Sequence, residues 1–282
     1  MNRLLLLLAA VTACSNSPSK LDPGAIPPAG APTALATAPP GDPEARLARI
    51  ERRLDKVAGV LDQALGPNKP DPAATYSVPI NELDPVEGPR DAKVTIVEGY
   101  EFLCPYCYLT DPAIEQVRAK YPNDVRIVSK YLVIHGAPAA TIGTYACAAA
   151  KQGKFSEMKA ALWSHLFKKE GEAPRLQQDE VANVEPIASS VGLDLARLKQ
   201  DAESCKQWLE SSQQELTAVG VNATPAFFVN GRPLLDRSFA GFDKAIQDAL
   251  ARVSASGVEP VAYYEREVVG KGLKHVRGRF ED

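Results

Sequence analysis

The sequence predicts an α/β fold: strands and helices around one sheet, with an inserted helical domain in the middle, preceded by a disordered tether and an N-terminal helix. Three observations carry this prediction. Residues 93–100 (KVTIVEGY) and 125–134 are β-branched, mostly apolar runs, as buried strands are, and a helical pattern separates them. Residues 139 to about 219 are almost entirely helical in composition. Residues 226–229 then form an apolar strand that runs into Asn230-Gly231, a strong hairpin signal. The 282 residues are 45% hydrophobic and 24% charged, an ordinary globular balance that excludes a wholly disordered chain, a collagen or a multi-span membrane protein. With 32 basic against 35 acidic residues the net charge is −3, so no basic excess exists to neutralise phosphates and nucleic acid is not an expected partner.

At the start, Met1-Asn2-Arg3 carries one positive side chain and residues 4–13 run apolar or small. That run is too short to span a bilayer, which takes about 20 residues, and it fits the apolar core of a secretory signal peptide over residues 1–13. It ends Val11-Thr12-Ala13-Cys14-Ser15, which resembles the bacterial lipobox. The resemblance implies that Cys14 is the lipid-modified mature N-terminus and anchors the chain to a membrane. Ser15 rather than Asp after it implies the outer membrane. A plain signal peptide with an incidental cysteine is the alternative. The expected compartment is the oxidising periplasm, where disulfides persist. Residues 14–43, rich in Pro, Ala and Gly, cannot bury enough surface to offset their ordering entropy and read as a disordered, partly polyproline-II tether.

Residues 44–66 change character. Leu47, Ile50, Leu54, Val57, Leu61 and Ala64 follow a heptad seam, Arg46 and Glu51 flank it, and Gly66-Pro67 ends the helix. The seam makes either a short coiled coil, and with it a homo-oligomer, or an amphipathic helix lying on its own body. The folded body follows. A strand at 76–80, the strand 93–100, a helix at about 106–120 and the strand 125–134 fill residues 70–137. Residues 138–219 are the helical insertion, with Phe155, Met158, Leu162 and Leu166 on one face. The strand 226–229, its hairpin return at 233–235 and a closing helix at 242–253 fill residues 220–253. The tail, 254–282, reads as a peripheral helix.

The chemistry sits at Cys104-Pro105-Tyr106-Cys107. An apolar strand, a short link, the motif and then a helical pattern put Cys104 at a helix N-terminus, whose free N–H groups and partial positive charge stabilise a thiolate. Pro105 in the first turn removes a donor that has no partner there. Cys107, one turn in, is shielded and serves as the resolving thiol. Half of a zinc site would need a second ligand pair, and Cys147 and Cys205, 58 residues apart, do not make one. No His or Met lies beside the motif to favour a copper carrier. No metal and no cofactor is expected. With Cys14 lipidated, four of the five cysteines remain. Cys147 and Cys205 both fall in the helical insertion, either as a structural disulfide, worth about 4 kcal/mol in the chain-entropy model, or as two buried thiols.

The second mark is Val221-Asn222-Ala223-Thr224-Pro225-Ala226-Phe227-Phe228-Val229-Asn230-Gly231. With CPYC and the helical insertion, it makes residues 76–253 resemble the DsbA-like branch of the thioredoxin superfamily, hence a thioredoxin-like fold. The resemblance implies a cis Pro225 that brings Thr224 and its backbone beside the CPYC sulfurs. It implies that Glu98, six residues before Cys104 in an otherwise apolar strand, is a buried proton relay for the resolving cysteine. It also implies that Lys130 in Ser129-Lys130-Tyr131 is the partner lysine of that glutamate.

The expected function is therefore a periplasmic, membrane-tethered thiol–disulfide oxidoreductase. Its partners are exported proteins with free thiols or disulfides and a membrane or periplasmic redox partner. Cys104 forms a mixed disulfide with a client and Cys107 resolves it. The helical insertion favours a disulfide oxidase. Tyr106 in place of the His of the strongest oxidases, Thr224 before the proline, and the seam favour the alternative, an isomerase or reductase assembled through the N-terminal helix. A thioredoxin-like lipoprotein that binds partners without turnover is the reading of another class.

Overall fold

The computed structural model describes residues 42–65, 69–170 and 173–276. The expected signal peptide, the lipobox at Cys14 and the tether up to residue 41 lie outside them. The chain divides into two units with the boundary between Lys56 and Val57. Helix α1, Pro43–Leu65, opens with Glu44 in its first turn, where an acid suits the helix dipole. Its seam residues Leu47, Ile50, Leu54 and Val57 are all exposed.

The body begins on a segment that does not join the sheet. The strand expected at 76–80 is instead an isolated bridge from Tyr76 to Leu273. Its backbone groups go to the tail and the hairpin turn: Ser77 N–H donates to Leu273 O (2.8 Å) and Tyr76 N–H to Gly231 O (2.7 Å). Pro79 has no N–H to extend a ladder. Strands β1 (Val86–Glu87), β2 (Val94–Tyr100) and β3 (Val125–Tyr131), with helix α2 (Pro105–Lys120) between the last two, come next. The helical insertion holds α3 (Gly136–Lys151), α4 (Phe155–Leu166), β4 (Phe167–Glu170), β5 (Ala173–Leu176), α5 (Gln178–Ala182), α6 (Glu185–Ser190) and α7 (Leu195–Ala218). Then β6 (Ala226–Val229), β7 (Arg232–Pro233), α8 (Phe239–Ala255), α9 (Pro260–Tyr263) and a π-helical turn, Tyr264–Val269, complete it. The sheet order is β1-β3-β2-β6-β7, with β2 and β3 parallel and the other pairs antiparallel.

Strict alternation along β2 and β3 sends side chains to two different cores. Val94, Ile96, Val125 and Ile127 meet Ile114 and Val117 of α2 and Phe242 and Ile246 of α8. Val97 and Val128 face the other way, onto Leu216 of α7, Tyr264 and Val268. A third core, built from α3, α4, α6 and α7, reaches the site through Tyr100, Phe102, Tyr131, Cys104 and Cys107. There α3 approaches so closely that a Cβ at Gly143 would lie 2.8 Å from both Leu209 and Tyr131. Cys147 and Cys205 are bonded, fastening α3 to α7.

The insertion is not helical throughout, because β4 and β5 form an antiparallel hairpin, Phe167 opposite Leu176. Its residues are charged and contain a proline, so β-propensity does not announce it. Buried Phe167, stacked on Tyr108 of α2 at 4.9 Å between centroids, holds it in place. The β6–β7 turn has Asn230 at φ 44° and Gly231 at φ 77°, the left-handed pair a two-residue hairpin requires. The Asn230 side chain also accepts from Thr95 N–H (2.8 Å) and donates to Lys93 O (3.2 Å), tying the turn to β2.

Candidate active site

Helix α2 starts where the expected chemistry lies. Cys104 is its N-cap, with extended backbone (φ −81°, ψ 115°), and Pro105 is its first helical residue. The Cys104 carbonyl accepts from Cys107 N–H (3.1 Å) and Tyr108 N–H (3.2 Å), which closes the first turn and brings the two side chains together. Both cysteines are free thiols and buried, while Tyr106 between them is 67% exposed. The Thr224–Pro225 bond is cis. The Thr224 carbonyl lies 3.4 Å from Cys104 Sγ, so two segments 120 residues apart meet at one sulfur.

The two sulfurs differ in acidity. The Cys104 thiol is lowered to about 6, chiefly because the Cys107 thiol hydrogen-bonds to it. Burial opposes this, and hydrogen bonds from Thr224 and from the backbone of Cys107 and Tyr106 add to it. Cys107 is pushed far up, first by burial, then by the hydrogen bond it gives to Cys104, then by the negative charge of that neighbour. One sulfur is held ready to ionise and the other is held protonated.

Beneath α2, Glu98 is 2% exposed. Burial raises its carboxyl to about 7, against the pull of Lys159; Asp111, Glu87 and Glu115 push it further up. The expected partner Lys130 is elsewhere. Glu98 stands in register with Ser129, and Lys130 with Gly99, so pleating sends Glu98 and Lys130 to opposite faces of the sheet. Lys130 is fully buried beneath α7 between Asp84 (2.6 Å) and Glu215 (2.5 Å). The ammonium near Glu98 belongs to Lys159 of α4, 3.8 Å from Glu98 Oε2, 3.1 Å from Asp111 Oδ1 and 3.6 Å from Glu87 Oε2. Sequence reasoning missed Lys159, although a signal was present: it falls at i+4 from Phe155 and one residue after Met158, a charge inside an apolar stripe. Asp111, one turn after Cys107, was missed as well.

Glu101, fully buried, fixes the rim of the site. It accepts from Ile134 N–H (3.0 Å) and His135 N–H (3.3 Å) and also bonds the His135 imidazole, pinning the loop after β3 beside the start of α2. His135 is the N-cap residue of α3. Among the described residues no group of three His, Cys, Asp or Glu is placed to hold a metal ion, and no helix is long and apolar enough to cross a membrane.

A sequence model of the family described as Thioredoxin matches residues 81–248. Among curated proteins, the Na(+)/H(+) antiporter NhaA 3 of Salinispora tropica is 35% identical over 163 residues, 55% of this chain and 23% of that protein. The Na(+)/H(+) antiporter NhaA of Herminiimonas arsenicoxydans is 33% identical over 156 residues, 54% of this chain and 23% of that protein. The chain thus spans under a quarter of the length of these curated relatives. Among solved structures, oxidised BdbD from Bacillus subtilis superposes with a TM-score of 0.54 at 19% identity, over 65% of this chain and 100% of that one. Wolbachia pipientis alpha-DsbA1 superposes at 0.53 and 13% identity, over 64% and 96%. At these identities the two structures speak for the fold. The chain belongs to the thioredoxin family, and its fold is that of the DsbA-like thiol–disulfide oxidoreductases.

Proposed function

We propose that this protein exchanges disulfides with the cysteines of exported proteins through Cys104 and Cys107, in the direction of disulfide donation. The observation that carries the reading is one sulfur, Cys104 Sγ, at the N-terminus of α2, hydrogen-bonded by the Cys107 thiol and 3.4 Å from the backbone of the cis Thr224–Pro225 loop. In the oxidised protein a client thiolate attacks Cys104 Sγ, the Cys104–Cys107 bond breaks, and Cys107 leaves with the electron pair and takes a proton. A second client thiolate then attacks the client sulfur of the mixed disulfide, and Cys104 departs as a thiolate. A thiol lowered to about 6 is a good leaving group at neutral pH. Thr224 flanks the sulfur and its backbone faces the bound client, with Pro225 holding that backbone in place.

Cys104 is lowered in the folded, reduced protein, so it stabilises that form fully above its ordinary value of 9.0 and loses this contribution as pH falls through about 6. A stabilised reduced form makes the disulfide oxidising, which supports donation.

The chain acts in the periplasm, tethered through Cys14, with a membrane or periplasmic protein reoxidising it. The apolar residues preceding Cys14 and the oxidising compartment that a persistent Cys147–Cys205 bond needs support this. A second reading, isomerase or reductase, is favoured by the exposed stripe Leu47, Ile50, Leu54 and Val57 on α1, which would join chains into an oligomer. Refolding reduced and scrambled ribonuclease in parallel separates the two: recovery from the reduced form alone supports donation. Cys107→Ser keeps the reacting sulfur and removes the resolving one, so mixed disulfides accumulate in cells. If none can be trapped, the protein is a binding module and the enzyme reading fails.

A further inference from the structure

Lys159 is 4% exposed in a helix face otherwise made of Phe155, Met158, Leu162, Trp163 and Leu166. Burying an ammonium there is unfavourable unless its charge is compensated. Three carboxylates compensate it: Asp111 of α2 at 3.1 Å, Glu87 of β1 at 3.6 Å and Glu98 of β2 at 3.8 Å. The contacts are slack. Lys159 Nζ, Glu98 Oε2, Asp111 Oδ1 and Glu87 Oε2 are all buried without a well-formed hydrogen bond, and so are Ser129 Oγ and the Tyr100 hydroxyl on the same sheet face. Two of the carboxylates lead outward. The Asp111 side chain is 22% exposed, and Glu87, bonded to Ser156 and Arg118, lines a cleft of about 670 Å³.

We infer that Lys159, from the helical insertion, is the positioning residue of the exchange reaction, holding Glu98 for proton exchange with Cys107 and linking it to Asp111 and Glu87 on the solvent side. This rests on the reading of Cys104 and Cys107 as a redox couple. When the Cys104–Cys107 bond breaks, its electron pair leaves on Cys107 Sγ and the Glu98 proton passes to that sulfur. The Glu98 carboxylate is left facing the Lys159 ammonium and regains a proton from solvent by way of Asp111 or Glu87. In the reverse step the Cys107 proton returns to Glu98 as its sulfur closes on Cys104 and the client leaves as a thiolate.

The charged and titratable groups facing Glu98 are Lys159 from α4, Glu87 from β1, Asp111, Glu115 and Cys107 from α2, and Tyr100 from its own strand. The test is a carbon-13 carboxyl NMR titration of Glu98 in the reduced full chain, beside the pH profile of mixed-disulfide resolution by Cys107. The parent midpoint is expected at about 7. Lys159→Met raises it by more than one pH unit, roughly a tenfold or greater fall in the ratio of ionised to protonated Glu98, and moves the resolution profile equally. Lys159→Arg restores both. Lys130→Met, on the other face, changes neither. If Lys159→Met does not fold, Lys159→Gln, which keeps a polar end, shows the same rise. An unchanged Glu98 midpoint in a folded Lys159 variant overturns the inference. Failure of the redox reading is a separate result: a chain that exchanges no disulfide still reports Glu98 by NMR, and the Lys159 pairing stands or falls on that midpoint.

Discussion

A buried lysine lies among carboxylates on each side of the central sheet, and the two clusters are built differently. Lys130, under α7, touches Asp84 at 2.6 Å and Glu215 at 2.5 Å. Asp84 also accepts from Trp208 Nε1 (2.9 Å) and Asn81 N–H (2.7 Å), and Asn81 returns to Glu215 (2.7 Å). These short contacts, directed at Asp84 and without a well-formed hydrogen bond at Glu215 Oε2, fasten the segment before β1 to β3 and α7. Lys159, under α2, keeps 3.1–3.8 Å from three carboxylates, and several oxygens around it lack directed partners. The same residue types thus serve as a strut on one side and as an adjustable charge on the other. Distance separates the two roles: the Lys130 ammonium lies 2.5–2.6 Å from its carboxylates and the Lys159 ammonium 3.1–3.8 Å from its own.

The comparison can be broken at several points. Cys104→Ser removes the sulfur that the slack cluster serves, and all disulfide exchange is lost; a coupled turnover assay reads this, and residual exchange would assign the chemistry to another group. Glu98→Gln slows the Cys107 step at pH 7 by about a hundredfold, in the range of lost general acid–base catalysis, and flattens its pH profile near 7; stopped-flow quenching measures it. Lys130→Met strands the buried Asp84 carboxylate and the partly buried Glu215 and lowers unfolding free energy by about 3–5 kcal/mol, with the pH profile of exchange unchanged. A shifted profile there would dissolve the distinction between the two faces. Replacing Cys147 and Cys205 together by Ala costs about 2–5 kcal/mol in denaturant unfolding and leaves the Cys104–Cys107 potential where it was.

What the sequence made legible is what is local. CPYC after an apolar strand and before a helical pattern marks an N-terminal thiol without any tertiary knowledge, and Asn230-Gly231 marks its turn the same way. Glu98 stands out as one acid in an apolar strand, and it is buried. The partner lysine was not legible as chosen. Lys130 stands one residue from the strand position beside Glu98, and a one-residue step in a strand changes faces. Finding Lys159 requires knowing that α4, over fifty residues on, docks its apolar stripe beside α2. The β4–β5 hairpin escaped because its strands are held by one buried aromatic, Phe167, rather than by an alternating pattern. The residues at 76–80 carry strand-like side chains, yet their backbone partners are the tail and a turn, which periodicity does not encode.

The claim on which the rest depends is the ionisation of Cys104 in the reduced protein, and thiolate absorbance near 240 nm as a function of pH measures it most directly. A single thiolate appearing with a midpoint at about 6 agrees with the hydrogen-bonded sulfur at the head of α2. A first midpoint near the ordinary 9.0, with no absorbance change around 6, would contradict it.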